Sequence, residues 1–139
     1  MKIFEFNSER KFAKVKVDNT LDLWHLQNII EPKDLVTART LRTIFIQREE
    51  KKEKGRKKSV VLTVKVEKVE FHEHVNKLRV TGRIVEAPEY IQLGDYHTIE
   101  VGLGTVLTVE KGEWKKEQIE RMEKERIRIS LGQPKLIQE

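Results

Sequence analysis

The sequence predicts a mainly β fold, in which a strongly bent antiparallel sheet or an all-β barrel carries one or two packed helices. The clearest observation is the alternation of apolar and polar residues over residues 59–71, which is typical of an antiparallel strand with one buried face. Several other short apolar segments are bounded by turn residues, whereas only two segments show helical spacing. A chain of 139 residues corresponds to about one domain.

The first third of the chain predicts two strands followed by a helix. Residues 2–6 and 12–17 form the strands, and the polar segment between them favours a turn. A helix is expected over residues 20–30, because four apolar residues recur there at helical spacing. These four are Leu23, Leu26, Ile29 and Ile30. Pro32 cannot continue the helix and marks its end.

The rest of the chain predicts five more strands and a second helix. The strands are expected over residues 34–48, 59–71, 77–86, 96–101 and 105–110. Residues 114–126 predict a solvated helix with a narrow apolar face, because Glu–Arg and Glu–Lys pairs lie four residues apart along it. The tail, residues 127–139, contains Gly132 and Pro134 and is interpreted as a linker or the truncated start of a next domain.

The composition indicates a highly charged protein, and its positive balance favours an anionic partner, although excess charge also simply keeps proteins soluble. Charged residues make up 37% of the chain, and 28 Lys and Arg against 23 Asp and Glu give a net charge of +5. There is no cysteine, which excludes disulfides and thiolate metal sites and fits a reducing compartment. No apolar run reaches the roughly 18 residues of a membrane span, and the N-terminus has no apolar signal segment. We therefore expect a cytoplasmic protein without membrane contact.

A cluster of charge lies between the two longest predicted strands, over residues 49–58, and is expected to form a solvated loop. Its six basic residues are Lys51, Lys52, Lys54, Arg56, Lys57 and Lys58. Each cation that neutralises a phosphate releases counterions, so the loop is a candidate RNA-binding site. The alternative is a loop that only keeps the protein soluble, and charge by itself does not separate the two.

Arg39 and Arg42 extend the candidate positive surface along the preceding strand. Successive side chains of a strand point to opposite faces, and these two arginines are three residues apart. We therefore expect them to lie on opposite faces, so that at most one of them joins any given patch.

The sequence contains no motif of a nucleophilic enzyme or of a phosphate-binding loop. His72 and His74 would share one face of a continued strand, but no third ligand is evident, so we predict no metal site. His25 is interpreted as a structural or surface residue of the first helix. His97 is expected to lie in a hydrogen-bonded corner.

Four stretches in order resemble the N-terminal domain of archaeal Pelota proteins: residues 22–30, 34–42, 78–89 and 93–98. The first reads Asp-Leu-Trp-His-Leu-Gln-Asn-Ile-Ile and the last Leu-Gly-Asp-Tyr-His-Thr. The resemblance covers residues 1–126. One departure is Lys33, which stands where the family often has glycine before the following Asp.

The resemblance implies an Sm-like bent barrel that enters the decoding site of a stalled ribosome with an empty A site, without codon preference. It implies contact of the charged loop with mRNA and ribosomal RNA, and carries Arg39 and Arg42 over as further binding residues. It implies an elongation-factor-like GTPase and a recycling ATPase as partners, mostly through later domains. A monomer that needs no cofactor is expected.

Two alternatives to RNA binding remain open at this point. Members of the family have been proposed to cut mRNA with a divalent metal, which would make the domain an endoribonuclease. A second alternative is a protein-docking module that makes no RNA contact. The favoured interpretation is a non-catalytic RNA-binding and ribosome-binding domain of a factor for ribosome rescue and no-go mRNA surveillance.

Overall fold

A computed structural model describes the backbone of residues 1–48 and 51–130, and the side chains of residues 1–44 and 55–128. The described residues form seven β-strands, two α-helices and one short 3-10 helix. In chain order these are β1 (Lys2–Asn7), β2 (Phe12–Lys16), α1 (Thr20–Ile29), β3 (Leu35–Arg48), β4 (Lys51–His72), the 3-10 helix (Glu73–Val75), β5 (Lys77–Glu86), β6 (Tyr96–Val101), β7 (Val106–Glu110) and α2 (Lys116–Ser130).

The seven strands form one antiparallel sheet in the order β1-β2-β7-β3-β4-β5-β6. This confirms the predicted mainly β fold with two helices. The sheet is not closed by hydrogen-bonded strand pairing, since β1 and β6 are its two edges. Of the two predicted forms, the strand pairing therefore gives the bent open sheet and not the closed barrel.

The sheet bends sharply between β4 and β5. The register of this pair shifts between Thr63 and Val64 and again between Val66 and Lys68, so β4 bulges twice against β5. At Gly82 the two backbones come so close that a Cβ atom would lie 1.9 Å from the carbonyl oxygen of Lys65. Only glycine permits this approach, and it allows β5 and β6 to curve back over the sheet.

The core lies on the concave side of the sheet and beneath α1. Alternate residues of the strands point into it, as the sequence predicts for residues 59–71. The buried residues of β3, β4 and β5 are Val36, Ala38, Val60, Leu62, Val64, Val66, Leu78, Val80 and Ile84. Leu23, Leu26 and Ile29 of α1 are also buried in this cluster. Each fully buried aliphatic side chain contributes about 1.5–3 kcal/mol.

Helix α1 begins at a capping box and is tied to the start of the chain. Asn19 Oδ1 accepts from the backbone N–H of Asp22 at 3.1 Å, and Asp22 Oδ2 accepts from that of Asn19 at 3.1 Å. Asp22 Oδ1 also accepts from the Met1 ammonium at 2.9 Å. The predicted helix over residues 20–30 is confirmed to within one residue at its C-terminal end.

A buried ion pair joins the segment after α1 to the segment after β7. The Lys111 ammonium donates to Asp34 Oδ2 at 2.5 Å and to Glu31 Oε1 at 3.2 Å. Lys115 donates to Glu31 Oε2 at 2.7 Å, and this bond, followed by the hydrogen bonds of Gln118 and Lys111, lowers the pKa of Glu31 to about 2. Beside this pair, Lys33 has a φ of 82°, in the region that favours glycine. Lys33 therefore adopts a backbone conformation that is strained for a residue with a side chain, at the position where the family often has glycine.

The predicted loop over residues 49–58 is wrong for residues 51–58, which belong to β4. The ladder with β3 continues through Arg42↔Lys58, Ile44↔Arg56 and Ile46↔Lys54. Strand geometry persists because the backbone of β4 continues to pair with that of β3, while the charged side chains of Arg56, Lys57 and Lys58 are exposed. The run of charge conceals this pairing in the sequence.

The second helix lies later than predicted, at Lys116–Ser130 instead of 114–126. Gln118 Oε1 accepts from the N–H of Lys115 at 2.8 Å and so helps to set its start. Its last described turn includes a contact of Arg128 Nη2 with Glu125 Oε1 at 3.3 Å. Residues 127–130 are thus helical, while 131–139 lie outside the described residues. Neither described helix is long and apolar enough to cross a membrane.

Candidate nucleic-acid interface

Strands β3 and β4 continue past the rest of the sheet as a two-stranded arm. β7 pairs with β3 only over residues 35–38, and β5 pairs with β4 only from Thr63 onward. Residues 39–48 and 51–62 therefore pair only with each other, and these two segments are the arm. At about 3.3 Å per residue, its β3 strand is roughly 30 Å long.

The strand register divides the basic residues of the arm between two faces. Arg42, Arg56 and Lys58 lie on the face that continues the concave side of the sheet, which we call the inner face. Arg39 and Lys57 lie on the opposite, outer face. The prediction that Arg39 and Arg42 face opposite ways is confirmed. The side chains of Lys51, Lys52 and Lys54 lie outside the described residues.

The outer face opens into a polar groove of about 410 Å³ that is lined by β3, β4, β5 and β6. Its charged lining residues are Arg39, Lys57, Lys77, Arg79 and Glu100, with the hydroxyls of Ser59 and Thr98 between them. Lys77 and Arg79 were missed by the sequence reasoning. The alternation of β5 contained a signal for them, because Leu78 and Val80 point inward and so place residues 77 and 79 outward.

On the inner face, Arg42 holds the edge strand β6 against β3. Its Nη1 donates to the carbonyl oxygen of Tyr96 at 3.1 Å and to Nδ1 of His97 at 3.2 Å. Its Nη2 lies 3.5 Å from Asp95 Oδ2, and its side chain is only 22% exposed. Much of the hydrogen-bonding capacity of Arg42 is therefore used within the protein, whereas Arg56 and Lys58 are exposed.

His97 of β6 makes the other side-chain hydrogen bond between β6 and β3. Because Arg42 donates to Nδ1, the proton of the neutral ring is on Nε2, which donates to Thr40 Oγ1 at 2.9 Å. Burial, followed by the charge of Arg42, lowers the pKa of His97 to about 4. The expected hydrogen-bonded role of His97 is confirmed, and it joins two strands that are three positions apart in the sheet.

An aromatic side chain lies beside the inner-face cations. The Lys58 ammonium is 4.6 Å from the ring centroid of Tyr90, which is half exposed. This contact positions the Lys58 side chain near the base of the arm.

His72 ends β4, and His74 lies in the 3-10 helix that follows it. His72 and His74 are exposed, and His72 Nε2 lies 3.9 Å from Glu70 Oε1. Over residues 1–48 and 51–130, no group of three or more His, Cys, Asp and Glu side chains is placed to hold a metal ion. His25 lies between the helices, where Nδ1 accepts from Arg121 Nη1 at 2.8 Å.

A family model described as the Pelota N-terminal domain matches residues 1–126, which include every strand of the sheet. The chain belongs to the Pelota N-terminal domain family. The Pelota resemblance that the four sequence stretches indicate is thereby confirmed.

Curated relatives and solved structures agree with this membership. The Pelota homologue of Thermococcus gammatolerans is 44% identical over 133 residues, covering 94% of this chain and 37% of the relative. The Pelota homologue of Pyrococcus horikoshii is 45% identical over 132 residues, again covering 94% of this chain and 37% of the relative. The chain thus spans little more than a third of the length of these relatives.

Among solved structures, a ribosome-bound archaeal Pelota, described together with ABCE1, matches with a TM-score of 0.75 and 43% identity. The match covers 89% of this chain and 35% of that one. Archaeoglobus fulgidus Pelota matches with a TM-score of 0.66 and 36% identity, over 89% of this chain and 32% of that one. Both likenesses extend across most of the domain.

Proposed function

We propose that this Pelota N-terminal domain is the RNA-binding and ribosome-binding part of a factor for ribosome rescue and no-go mRNA surveillance. In this role it enters the empty decoding site of a stalled ribosome in the cytoplasm. The observation that carries the proposal is the two-stranded arm, which extends basic residues beyond the sheet on both of its faces. A ribosome-bound archaeal Pelota, 43% identical to this chain, supports the same assignment.

The arm suits RNA that lies on two sides of it. Arg56 and Lys58 face one way and Arg39 and Lys57 the other, so phosphates on either side meet a cation. Long cationic side chains at a backbone surface contact phosphates regardless of base identity. Entry without codon preference follows from this kind of contact, and the domain needs no cofactor for it.

The partners of the whole protein belong to the same proposal. The ribosome-bound archaeal Pelota is described together with ABCE1, which supports a recycling ATPase as a partner. An elongation-factor-like GTPase is proposed from the family resemblance. Both contacts are assigned mostly to parts of the longer relatives that lie outside the matched third.

The test is binding of this chain to purified ribosomes with an empty A site. Lys51, Lys52, Lys54, Arg56, Lys57 and Lys58 are all changed to Ala, and affinity is measured by sedimentation at several salt concentrations. We expect the wild type to bind and the six-fold variant to lose most of its affinity, because the variant lacks the cations that would contact phosphates. The remaining binding of the variant should also depend less steeply on salt concentration.

A charge-matched control distinguishes the arm from net charge. It carries alanine at six exposed lysines outside the arm and the groove: Lys2, Lys14, Lys65, Lys68, Lys116 and Lys124. We expect this variant to bind nearly as well as the wild type. Equal binding by the wild type and the six-fold arm variant would refute an RNA contact of the arm and favour protein docking.

We further propose that the domain acts without catalysis. The same purified chain, freed of contaminating nuclease, is incubated with RNA in the presence and absence of Mg²⁺ or Mn²⁺. We expect intact RNA in both cases, since the described residues offer no cluster of three metal ligands. Cleavage that chelator abolishes would establish the endonuclease alternative.

A further inference from the structure

The groove on the outer face gathers cations from three strands that are distant in sequence. Arg39 comes from β3, Lys57 from β4, and Lys77 and Arg79 from β5. The single lining carboxylate is Glu100 of β6, whose Oε2 lies 3.8 Å from Arg79 Nε. Four cations against one carboxylate leave three positive charges uncompensated within about 410 Å³.

One other pocket of the described chain has a similar imbalance, where Arg10, Lys11, Lys33, Lys65 and Lys111 meet the single lining carboxylate of Glu110. The groove on the outer face differs from it because Arg39 and Lys57 connect the groove to the arm. Several arginines elsewhere have carboxylate partners, as Arg83 has in Glu67 at 3.6 Å and Arg126 in Glu123 at 3.5 Å. Arg39, Lys57 and Lys77 have no carboxylate within 4.0 Å among the described residues, and Arg39 instead donates to Ser59 Oγ at 3.3 Å. Uncompensated like charges in a concave site raise the local potential and attract an anion.

One of the cations, Lys77, packs against the backbone of Gly102, the residue that follows β6. A Cβ atom built on Gly102 would lie 2.7 Å from Lys77 Nζ and 3.1 Å from its Cδ. The Lys77 side chain therefore lies across a backbone position that has no side chain of its own. This packing restricts the lysine and reduces the entropy that it would lose on binding a ligand.

We propose that this groove binds the phosphodiester backbone of an RNA strand, with Lys77 and Arg79 as phosphate ligands in addition to those of the arm. The inference rests on the proposed function, because Arg39 and Lys57 belong to both surfaces and make the groove continuous with the arm. Lysine, arginine, serine and threonine are the side chains that commonly contact phosphate and sugar, and the lining combines all four. Its described lining residues include no aromatic side chain on which a base could stack, which favours binding that is independent of sequence.

The first experiment removes the two new ligands from the whole chain. Lys77→Ala/Arg79→Ala is compared with the wild type by fluorescence anisotropy, with a short mixed-sequence oligoribonucleotide as single strand and as duplex. We expect weaker binding and a shallower dependence on salt between about 50 and 200 mM, by roughly 0.7 per lost contact for the single strand and 0.9 for the duplex. Whichever form shows the effect identifies the kind of strand that the groove holds.

The control has the same change in net charge at a distant site. Lys116→Ala/Lys124→Ala removes two exposed cations from α2, which packs on β1 and α1 and not on the groove. We expect wild-type affinity and slope from this variant. Circular dichroism and the midpoint of urea unfolding establish that all variants are folded.

Two further variants test the geometry without removing a cation. Glu100→Gln deletes the competing carboxylate, and we expect it to tighten RNA binding about two- to fivefold. Gly102→Ala displaces the Lys77 ammonium, and we expect it to weaken binding. It should have no further effect when Lys77→Ala is already present, because both changes act on one contact.

Unchanged affinity and slope in Lys77→Ala/Arg79→Ala would overturn the groove assignment. If the six-fold arm variant still loses ribosome binding, the proposed function stands and only the groove proposal fails; if it does not, both fail. Displacement of the RNA by polyglutamate at equal charge concentration, as effective as by unlabelled RNA, would instead assign the groove to an acidic protein.

Discussion

At the scale of single residues, His97 holds together the curved part of the sheet. It accepts from Arg42 and donates to Thr40, so both ring nitrogens are bonded only while the ring is neutral. Thr40 and Arg42 share one face of β3, but His97 lies 57 and 55 residues away from them, and nothing in that spacing indicates that it meets them. The sequence predicted that His97 would be hydrogen-bonded, but its partners follow only from the bend of the sheet.

Protonation of His97 is expected to destabilise the fold in acid. The folded pKa is about 4 and the ordinary value is 6.5, so the unfolded state takes up the proton first as the pH falls. The contribution of neutral His97 to the free energy of unfolding should be fully present above about pH 6.5. It should decrease by up to about 3 kcal/mol as the pH falls to about 4, and His97 should cause no further decrease below that pH.

The measurement is urea unfolding across this pH range for the wild type and His97→Gln. The glutamine variant should be less stable near neutral pH and should lose the part of the pH dependence that belongs to His97. Burial also lowers the pKa of His25, which is present in both proteins, so the comparison isolates His97. Parallel pH profiles for the two proteins would show that His97 is not held neutral by the fold.

At the scale of elements, the arm is where sequence reasoning and structure differ most. Alternation predicted β4 over residues 59–71 because Val60, Leu62, Val64 and Val66 occupy alternate positions there. On the N-terminal side of Val60 the inward positions are occupied by Lys58 and Arg56. The alternation of apolar and polar residues therefore ends at Val60, although the strand does not. The strand continues because β3 supplies a paired backbone, which is a tertiary interaction that charge does not reveal.

The cross-strand pair Arg42↔Lys58 sets two like charges opposite each other. We expect Lys58→Glu to stabilise the arm by about 0.5 kcal/mol relative to Lys58→Gln, because an opposite-charge pair replaces a neutral one. On the proposed function, the same change should weaken ribosome binding. Hydrogen exchange of the arm amides and the ribosome assay measure the two effects separately.

Lys57 provides the matched control, because it lies opposite the neutral Thr43 on the other face. The arm amides should be equally protected from hydrogen exchange in Lys57→Glu and in Lys57→Gln. Greater protection by Lys57→Glu would mean that long-range charge, and not the cross-strand pair, determines the stability of the arm.

At the scale of the whole molecule, the fold class was predictable, and so were the positions of the α-helices and of every strand except β4, to within a few residues. Patterns of period two and the helical spacing of α1 are local, and the sequence contains them. The bend is not local, because it depends on Gly82 meeting the backbone of Lys65. In sequence, Gly82 is only a glycine within a predicted strand, and the residue that it must accommodate lies on another strand.

We expect Gly82→Ala to destabilise the protein by about 3 kcal/mol or more, because the new Cβ would lie 1.9 Å from a carbonyl oxygen and the backbone would have to move. Gly112→Ala is the control, since nothing lies within 4 Å of its Cβ position. That variant should unfold at nearly the wild-type urea concentration. A mild effect at Gly82 would show that β4 and β5 can separate without loss of the bend.

The arm also has open edges. Beyond the pairing with β7 and β5, the outer backbone edges of both its strands have no neighbouring strand in the described sheet, and such edges readily join those of another molecule. Closely spaced lysines and arginines oppose that joining by mutual repulsion. Solubility and RNA recognition are therefore not competing explanations of the charge. The cations that would meet RNA also keep free molecules from aggregating through their arms, and a polyanion that neutralises them would remove this protection.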